Sequence, residues 1–447
     1  MSGANATTPV MTDAPVVPEA PVPEAPVPEA PTMSVPAAAP GTAGPPCEYA
    51  RLRVEQPVVK ALLPNGETGW LISRYEDARA AFADPRLTRP LLSAWPPRED
   101  AQAPPPCLPT FLEMTGEHHN RVRRTVLPMF GRRKLDFMAP RIRSMAEGLV
   151  DAMVAAADSS GGPVDLVEAF VDPLPLMVLC ETTGIPHEDR ATYLPHTLAL
   201  LGAAGLTMEE VLAALYALQD YAVGLIARKE HEIDAGTGGT GAGDGDTGTG
   251  AGDDYICQLL RESRREGSEL IRDDVVSFVV TMLMAGYKTN IQHTGNAMLA
   301  LLTHPAQLQR LRDDPDTIDS AVEELLRYVP LMNAINILVA LEDFTLHGQH
   351  IRAGDAVLPV IASANRDPDA FTDPDGLDLS RTPNAHTAFG HGPHYCTGAN
   401  LTRMQLAIAL RVLLERLPGL ELAVPADTLP WDETTPLRAP ARLPVRW

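Results

Sequence analysis

The stretch Phe389-Gly-His-Gly-Pro-His-Tyr-Cys-Thr-Gly398 packs three glycines, a proline and a lone cysteine, Cys396, into one short segment. Glycine and proline at this density specify a tight turn with an exposed backbone. The residues that follow, Ala399 to Leu414, are rich in Leu, Ala, Met and Arg and read as a helix. Cys396 therefore falls just ahead of a helix N-terminus, where unpaired N–H groups and the helix dipole lower a thiol pKa. A thiolate in such a loop is a metal ligand or a nucleophile. An isolated cysteine elsewhere is most often a small core residue.

Composition bounds the alternatives. A chain of 447 residues can bury a large core, as one big domain or two ordinary ones. The five cysteines (Cys47, Cys107, Cys180, Cys257 and Cys396) are odd in number and irregularly spaced, with no Cys-x-x-Cys pair. That argues against a disulfide framework and against zinc or iron–sulfur sites, and it fits a reducing cytoplasm. A formal net charge of −22 makes nucleic acid a poor partner. No apolar run of about 18 residues is free of charges, so no membrane span is expected. The N-terminus lacks the basic start and apolar core of a secretory signal.

Residues 1–46 are low-complexity, with Val-Pro-Glu-Ala-Pro recurring from Val17, Val22 and Val27, and read as a disordered arm. Residues 235–253 are almost wholly Gly, Thr, Ala and Asp and read as a flexible surface insert. Between them, Gly69-Trp-Leu-Ile predicts a strand and Tyr75 to Ala83 a helix. The proline-rich stretch Arg89 to Pro109 reads as a loop of the kind that forms binding lids. Met114 to Lys134 is basic, and within it His119 and Arg123 share one helix face at i and i+4, suited to clamping carboxylates. Asp273 to Thr303 predicts the longest helix, roughly 45 Å, apolar nearly all round through Met284 and therefore central. Ala285-Gly286 places two small residues in its middle, which would let something flat approach the backbone, and Thr289 lies one turn on. Ala321 to Tyr328 is a further helix, and Val339 to Leu358 alternates as short strands do.

The motif Phe-Gly-x-Gly-x-His-x-Cys-x-Gly is similar to the haem-binding loop of the cytochrome P-450 superfamily, and every fixed position is filled. Glu324-x-x-Arg327, with Arg381 in Leu377-Asp-Leu-Ser-Arg, resembles a second element of that family. The order of motifs from about residue 50 to the end is very like a soluble bacterial member. The resemblance implies a mainly α fold with small β-sheets, a long central helix over the haem, and one catalytic domain at 47–447. It implies haem b, with Cys396 as the axial iron ligand. It places His119, Arg123 and His394 on the haem propionates, Phe389 near the sulfur, and Gly398 among the residues that let the backbone pass under the porphyrin. Thr289, with Ala285 and Gly286 beside it, would organise the water that protonates bound dioxygen. Glu324, Arg327 and Arg381 would form a buried structural set. Asn333, Asn336 and Leu338 would line the substrate pocket, the two asparagines suiting a substrate with amide or hydroxyl groups. Electrons would come from a separate ferredoxin and its reductase, docked near the basic helix. The implied activity is oxidation of a mid-sized natural product, without nucleic-acid or membrane partners.

Two positions depart from that pattern. An acid usually precedes the distal threonine, and here the residue is Lys288. An ammonium donates hydrogen bonds and accepts none. Either it points into a solvated groove, or proton delivery is altered and the outcome is oxidative C–C or C–N coupling rather than hydroxylation. An arginine often stands where this chain has Leu338, so a propionate contact is missing or supplied elsewhere. Lys288 also makes a peroxide-driven haem enzyme conceivable. A non-catalytic helper with the same fold is a further alternative, against which Cys396 argues.

Overall fold

The structure is a computed structural model and describes residues 32–38, 44–63, 66–91, 107–202, 206–236, 254–329, 331, 336–432 and 437–447. The loop expected at Arg89 to Pro109, the insert and Asn333 therefore lie largely or wholly outside the described residues. Among the described residues helices dominate, and four small sheets are attached to them. The main core draws on nearly every long helix, including Arg132–Ser160, Pro173–Thr183, Met208–Asp234 and Ala399–Arg416.

The helix expected over Asp273 to Thr303 is two helices, Arg272–Ala285 and Lys288–Thr303, broken at Gly286-Tyr287. The longest described helix is instead Arg132–Ser160, with 29 residues. The break has a local cause. Glycine is a weak helix former, and Tyr287 takes φ −113° and ψ −72°, away from helical values. Side chains take over where the backbone ladder fails: Thr289 Oγ1 donates to the Ala285 carbonyl at 2.5 Å, and Asn290 Nδ2 to the Gly286 carbonyl at 2.9 Å. Nor is the first helix buried all round. Asp274 to Thr281 are buried, whereas Asp273 is exposed and Met284 and Ala285, like Gly286 and Thr289 beyond them, are partly exposed.

A six-stranded sheet runs in the order Met33–Ser34, Val58–Leu62, Thr68–Ile72, Ala356–Pro359, Leu338–Ala340, Leu87–Thr88. Its first strand belongs to the arm read as disordered. Met33 and Ser34 pair in parallel with Ala61 and Leu62, and Met33 and Val35 pack on the Tyr49–Leu52–Leu71 cluster, so a short apolar piece of the arm is ordered by the sheet edge it covers. At the other edge, Leu87 and Thr88 pair antiparallel with Ala340 and Val339.

One helix among the described residues, Met208–Asp234, has the length and mean hydropathy of a membrane span, although it carries charges such as Asp220 and Arg228 along its length. It packs on Arg190–Leu200 and Arg272–Ala285, burying Leu212, Leu215, Leu218, Leu225 and Ile226 as an amphipathic core helix does.

Glu324 and Arg327 are fully buried and paired at 2.8 Å, and Arg381 Nε donates to the same Glu324 carboxylate at 3.0 Å. Arg327 also donates to the carbonyls of Asn365, Pro374 and Gly376, tying its helix to the segment that leads into the cysteine loop.

Candidate active site

The cysteine loop is fixed at both ends. Thr387 N and Oγ1 both donate to Asn365 Oδ1 ahead of it, and the helix Ala399–Arg416 carries it away. Gly390 and Gly392 adopt φ of 72° and 71°, the left-handed region. A Cβ on Gly392 would also meet the Phe82 carbonyl at 2.7 Å, so the loop is seated on the helix Tyr75–Ala83. Cys396 N donates to the Phe389 carbonyl at 3.0 Å and closes the turn.

Cys396 keeps exposed surface, although its neighbours crowd the thiol closely. The helix N-terminus does not win here. Burial pushes the thiol pKa up, against the pull of the Gly398 and Ala399 amides and of Arg123 and Arg403. The downward shift expected from sequence is thus reversed by desolvation.

Four nitrogen bases converge beside the loop. His119 is buried and stacks between Phe111 and His394, with ring centroids 5.3 and 4.2 Å away. Burial, then Arg123, lowers the His119 pKa to about 4; burial, His119, Arg89 and Arg123 lower that of His394 to about 3. Arg123 straddles the cysteine: Nη2 donates to the Tyr395 carbonyl at 2.7 Å and Nη1 to Thr397 Oγ1 at 3.4 Å. The fourth base, Arg89, was not singled out from sequence. Burial lowers its pKa, and its Nε has no hydrogen-bond partner. Continuing the Thr88–Val339 pairing by one step sets Arg89 opposite Leu338. Among the described residues, Arg89, His119, Arg123 and His394 form no ion pair with an acid.

Leu338 itself, expected in the substrate pocket, is buried in a satellite core with Val58, Trp70 and Phe344. Strand alternation turns Leu338 and Ala340 inward and leaves Val339 half-exposed. Asn336, just ahead of that strand, is half-buried. Gly286 is closely approached by protein: a Cβ there would meet the Met282 carbonyl at 2.7 Å and Leu179 Cδ1 at 3.0 Å. Gly390 and Gly398 face open space, with nothing within 4 Å of an added Cβ. Lys288 is paired with Asp432 at 2.6 Å in a cleft of about 300 Å³ that Glu168, Asp172, Gln292 and Arg442 also line. Asn290 Oδ1 accepts from Thr402 Oγ1 at 2.9 Å, joining the broken helix to the helix behind the cysteine.

These residues fit an iron porphyrin. An exposed thiol offers one axial donor, four basic side chains without an acid among the described residues suit two carboxylates, and open space lies over Gly390 and Gly398.

The family model of cytochrome P450 matches residues 191–419. The chain is 37% identical over 401 residues to the mycinamicin IV hydroxylase/epoxidase of Micromonospora griseorubida, covering 89% of this chain and 94% of that one. It is 35% identical to the nocardicin C N-oxygenase of Nocardia uniformis subsp. tsuyamanensis, covering 89% and 94%. A solved structure of the mixed-function P450 MycG superposes with a TM-score of 0.75 at 36% identity, covering 92% of this chain and 100% of that one. The fold and site define a haem-iron oxidoreductase of the monooxygenase class. The chain belongs to the cytochrome P450 family, among enzymes of secondary metabolism that act on small natural products.

Proposed function

We propose that this protein is a soluble, cytoplasmic monooxygenase that holds haem b through Cys396 and oxidises a mid-sized natural product. The observation that carries the reading is the set Arg89, His119, Arg123 and His394 gathered around the Cys396 loop without an acid of their own among the described residues. Once bound, the haem supplies oxidation of the substrate by dioxygen.

The chain's own residues do the rest. Arg89, His119 and His394 hold the propionates as hydrogen-bond donors. Arg89 takes the part of the arginine absent at Leu338, because the sheet register sets it opposite that residue. Arg123, committed to the Tyr395 carbonyl and Thr397, fixes the loop that presents the thiolate. Thr289 holds its hydroxyl on the Ala285 carbonyl at the helix break, where it can turn to a water or to the substrate. Asn336 lines the entrance from the sheet side. Ferredoxin and its reductase supply electrons.

The relatives are of nearly equal similarity yet are named for hydroxylation with epoxidation and for N-oxygenation, so likeness does not select the outcome. Lys288 is engaged by Asp432 and turned into its own cleft. That favours oxygen insertion with Thr289 and water over a rerouted outcome such as coupling. A reduced–CO Soret band at the haem-thiolate position in wild type, lost in Cys396→Ala, is the expected result, and its absence in wild type overturns the reading. Product mass then decides the outcome: one added oxygen means insertion, whereas loss of two hydrogens with joining of two fragments means coupling. Turnover with hydrogen peroxide and no reductase would point to the peroxide-driven alternative.

A further inference from the structure

Behind the cysteine loop lies a second polar cluster that the site described above does not use. Arg403, in the helix after the loop, forms a two-pronged ion pair with Glu323, Nε to Oε1 at 2.6 Å and Nη2 to Oε2 at 2.9 Å. Glu323 adjoins the buried Glu324 in sequence but points to a different partner set. Its Oε2 also meets His386 Nε2 at 3.1 Å, and His386 Nδ1 accepts from the Ala388 amide at 3.2 Å. The His386 side chain is only 1% exposed. Held in this way, the Arg403 guanidinium lies 4.6 Å from the centroid of the Phe389 ring, and its Nη1 reaches Tyr395 Oη at 3.1 Å. Phe389 and Tyr395 flank Cys396 in the folded loop: the Phe389 carbonyl accepts from the Cys396 amide, and Tyr395 directly precedes the cysteine.

The order of charges is therefore fixed. The cation contacts Phe389 and Tyr395, the residues that flank Cys396, and favours the ionised thiol, and the carboxylate sits behind it. Burial opposes the ionisation of Glu323, yet His386 and Arg403 hold its pKa down to about 2, so the carboxylate is charged at neutral pH. A guanidinium locked by a two-pronged carboxylate and an aromatic face has little freedom to move.

Resting on the reading of Cys396 as the iron ligand, we propose that Arg403 is a positioning residue that sets the electron richness of that thiolate, with Glu323 and His386 as its mount. A fixed cation beside the sulfur draws negative charge from the iron–sulfur unit and favours the reduced metal. Removing the cation disfavours reduction. Removing the carboxylate behind it, with the cation left in place, favours reduction.

The test is a reductive titration of the haem-loaded protein without any redox partner, alongside its reduced–CO spectrum. Arg403→Gln should make reduction harder by about tenfold in the ferric/ferrous equilibrium, about 59 mV for one electron. Glu323→Gln should shift it in the opposite sense. The double variant should return close to wild type, and Arg403→Lys should stay nearer wild type than Arg403→Gln. If both single variants shift the same way, or neither shifts while the thiolate CO band is kept, the proposal is overturned, because a loosened loop alone cannot give opposite signs. If Arg403→Gln loads too little haem to titrate, Glu323→Gln and Arg403→Lys still decide the sign. Absence of the thiolate CO band from wild type itself would instead overturn the assignment of Cys396.

Discussion

Lys288 Nζ lies 2.6 Å from Asp432 Oδ2, joining the first residue of the helix Lys288–Thr303 to a strand 144 positions further along the chain. Both side chains are largely shielded, at 17% and 14% exposed. Breaking such a pair from one side leaves the other charge poorly solvated. Asp432→Asn should therefore cost about 1–3 kcal/mol. Lys288→Glu, which sets two carboxylates face to face, should cost more than Lys288→Met. The double variant Lys288→Met/Asp432→Leu should recover most of the loss, since apolar replacement of a shielded pair is often close to neutral. Thermal melts of the four variants check this; additive single and double effects would show that the two residues are not coupled.

Gly286 is where the central helix stops. An added Cβ would meet the Met282 carbonyl at 2.7 Å and Leu179 Cδ1 at 3.0 Å. Gly286→Ala should thus destabilise by about 1–3 kcal/mol, through crowding rather than propensity, since alanine is the better helix former. Adding Leu179→Ala should remove the part due to Leu179, so that the pair is less unstable than the sum of the singles. Urea denaturation monitored by far-UV circular dichroism reads this out. A neutral Gly286→Ala would mean that the backbone shifts freely at the break.

The same two positions mark where sequence reading stops. The cysteine loop is legible because its chemistry is local: glycines needing φ > 0, a cysteine and a following helix all lie within a few residues. The break at Gly286 is hidden because the apolar pattern runs on through it and a single glycine inside a helical pattern is ordinarily tolerated. Arg89 is hidden for a related reason. Its place depends on a strand register, Thr88 against Val339, that no local pattern encodes. Lys288 is visible as an odd residue, but its partner Asp432 is not, because only the folded chain brings it near. The thiol pKa is read with the wrong sign since the helix N-terminus is a sequence feature and burial is a tertiary one.

Glu324 and Arg327 are both fully buried and share two hydrogen bonds of 2.8 Å. Arg327 also donates to three backbone carbonyls, and the Asp378 amide and Asn384 Nδ2 donate to Glu324. Lysine cannot reproduce a five-donor planar fork. Arg327→Lys should cost about 3–5 kcal/mol, on the order expected for breaking a buried pair from one side, and should lower the yield of folded protein. Arg381→Lys, at the more exposed end of the set, should cost less. Equal effects on the denaturation midpoint would show that burial does not govern the energetics of this cluster.

His293 gives the fold a dependence on pH that can be separated from the haem site. It lies on the helix Lys288–Thr303, is nearly inaccessible, and has its pKa lowered to about 4, first by burial and then by His386. An unfolded histidine titrates near 6.5. Above that pH both states are neutral and the contribution to stability is complete. As pH falls below about 6.5 the unfolded chain takes up a proton that the folded chain refuses, so stability declines until roughly pH 4, where the folded form also protonates and the loss levels off. By pH 5 the loss from this one residue is about 2 kcal/mol. The groups facing His293 include His386, which is held by Glu323 and, through it, by Arg403. His293→Leu removes the titrating group and leaves those partners in place. The difference in unfolding free energy between wild type and His293→Leu should therefore be constant above pH 7 and shift in favour of the variant by about 2 kcal/mol at pH 5. Parallel stability curves for the two proteins from pH 7 to pH 5 would show that His293 accepts its proton in the folded state as readily as in the unfolded one.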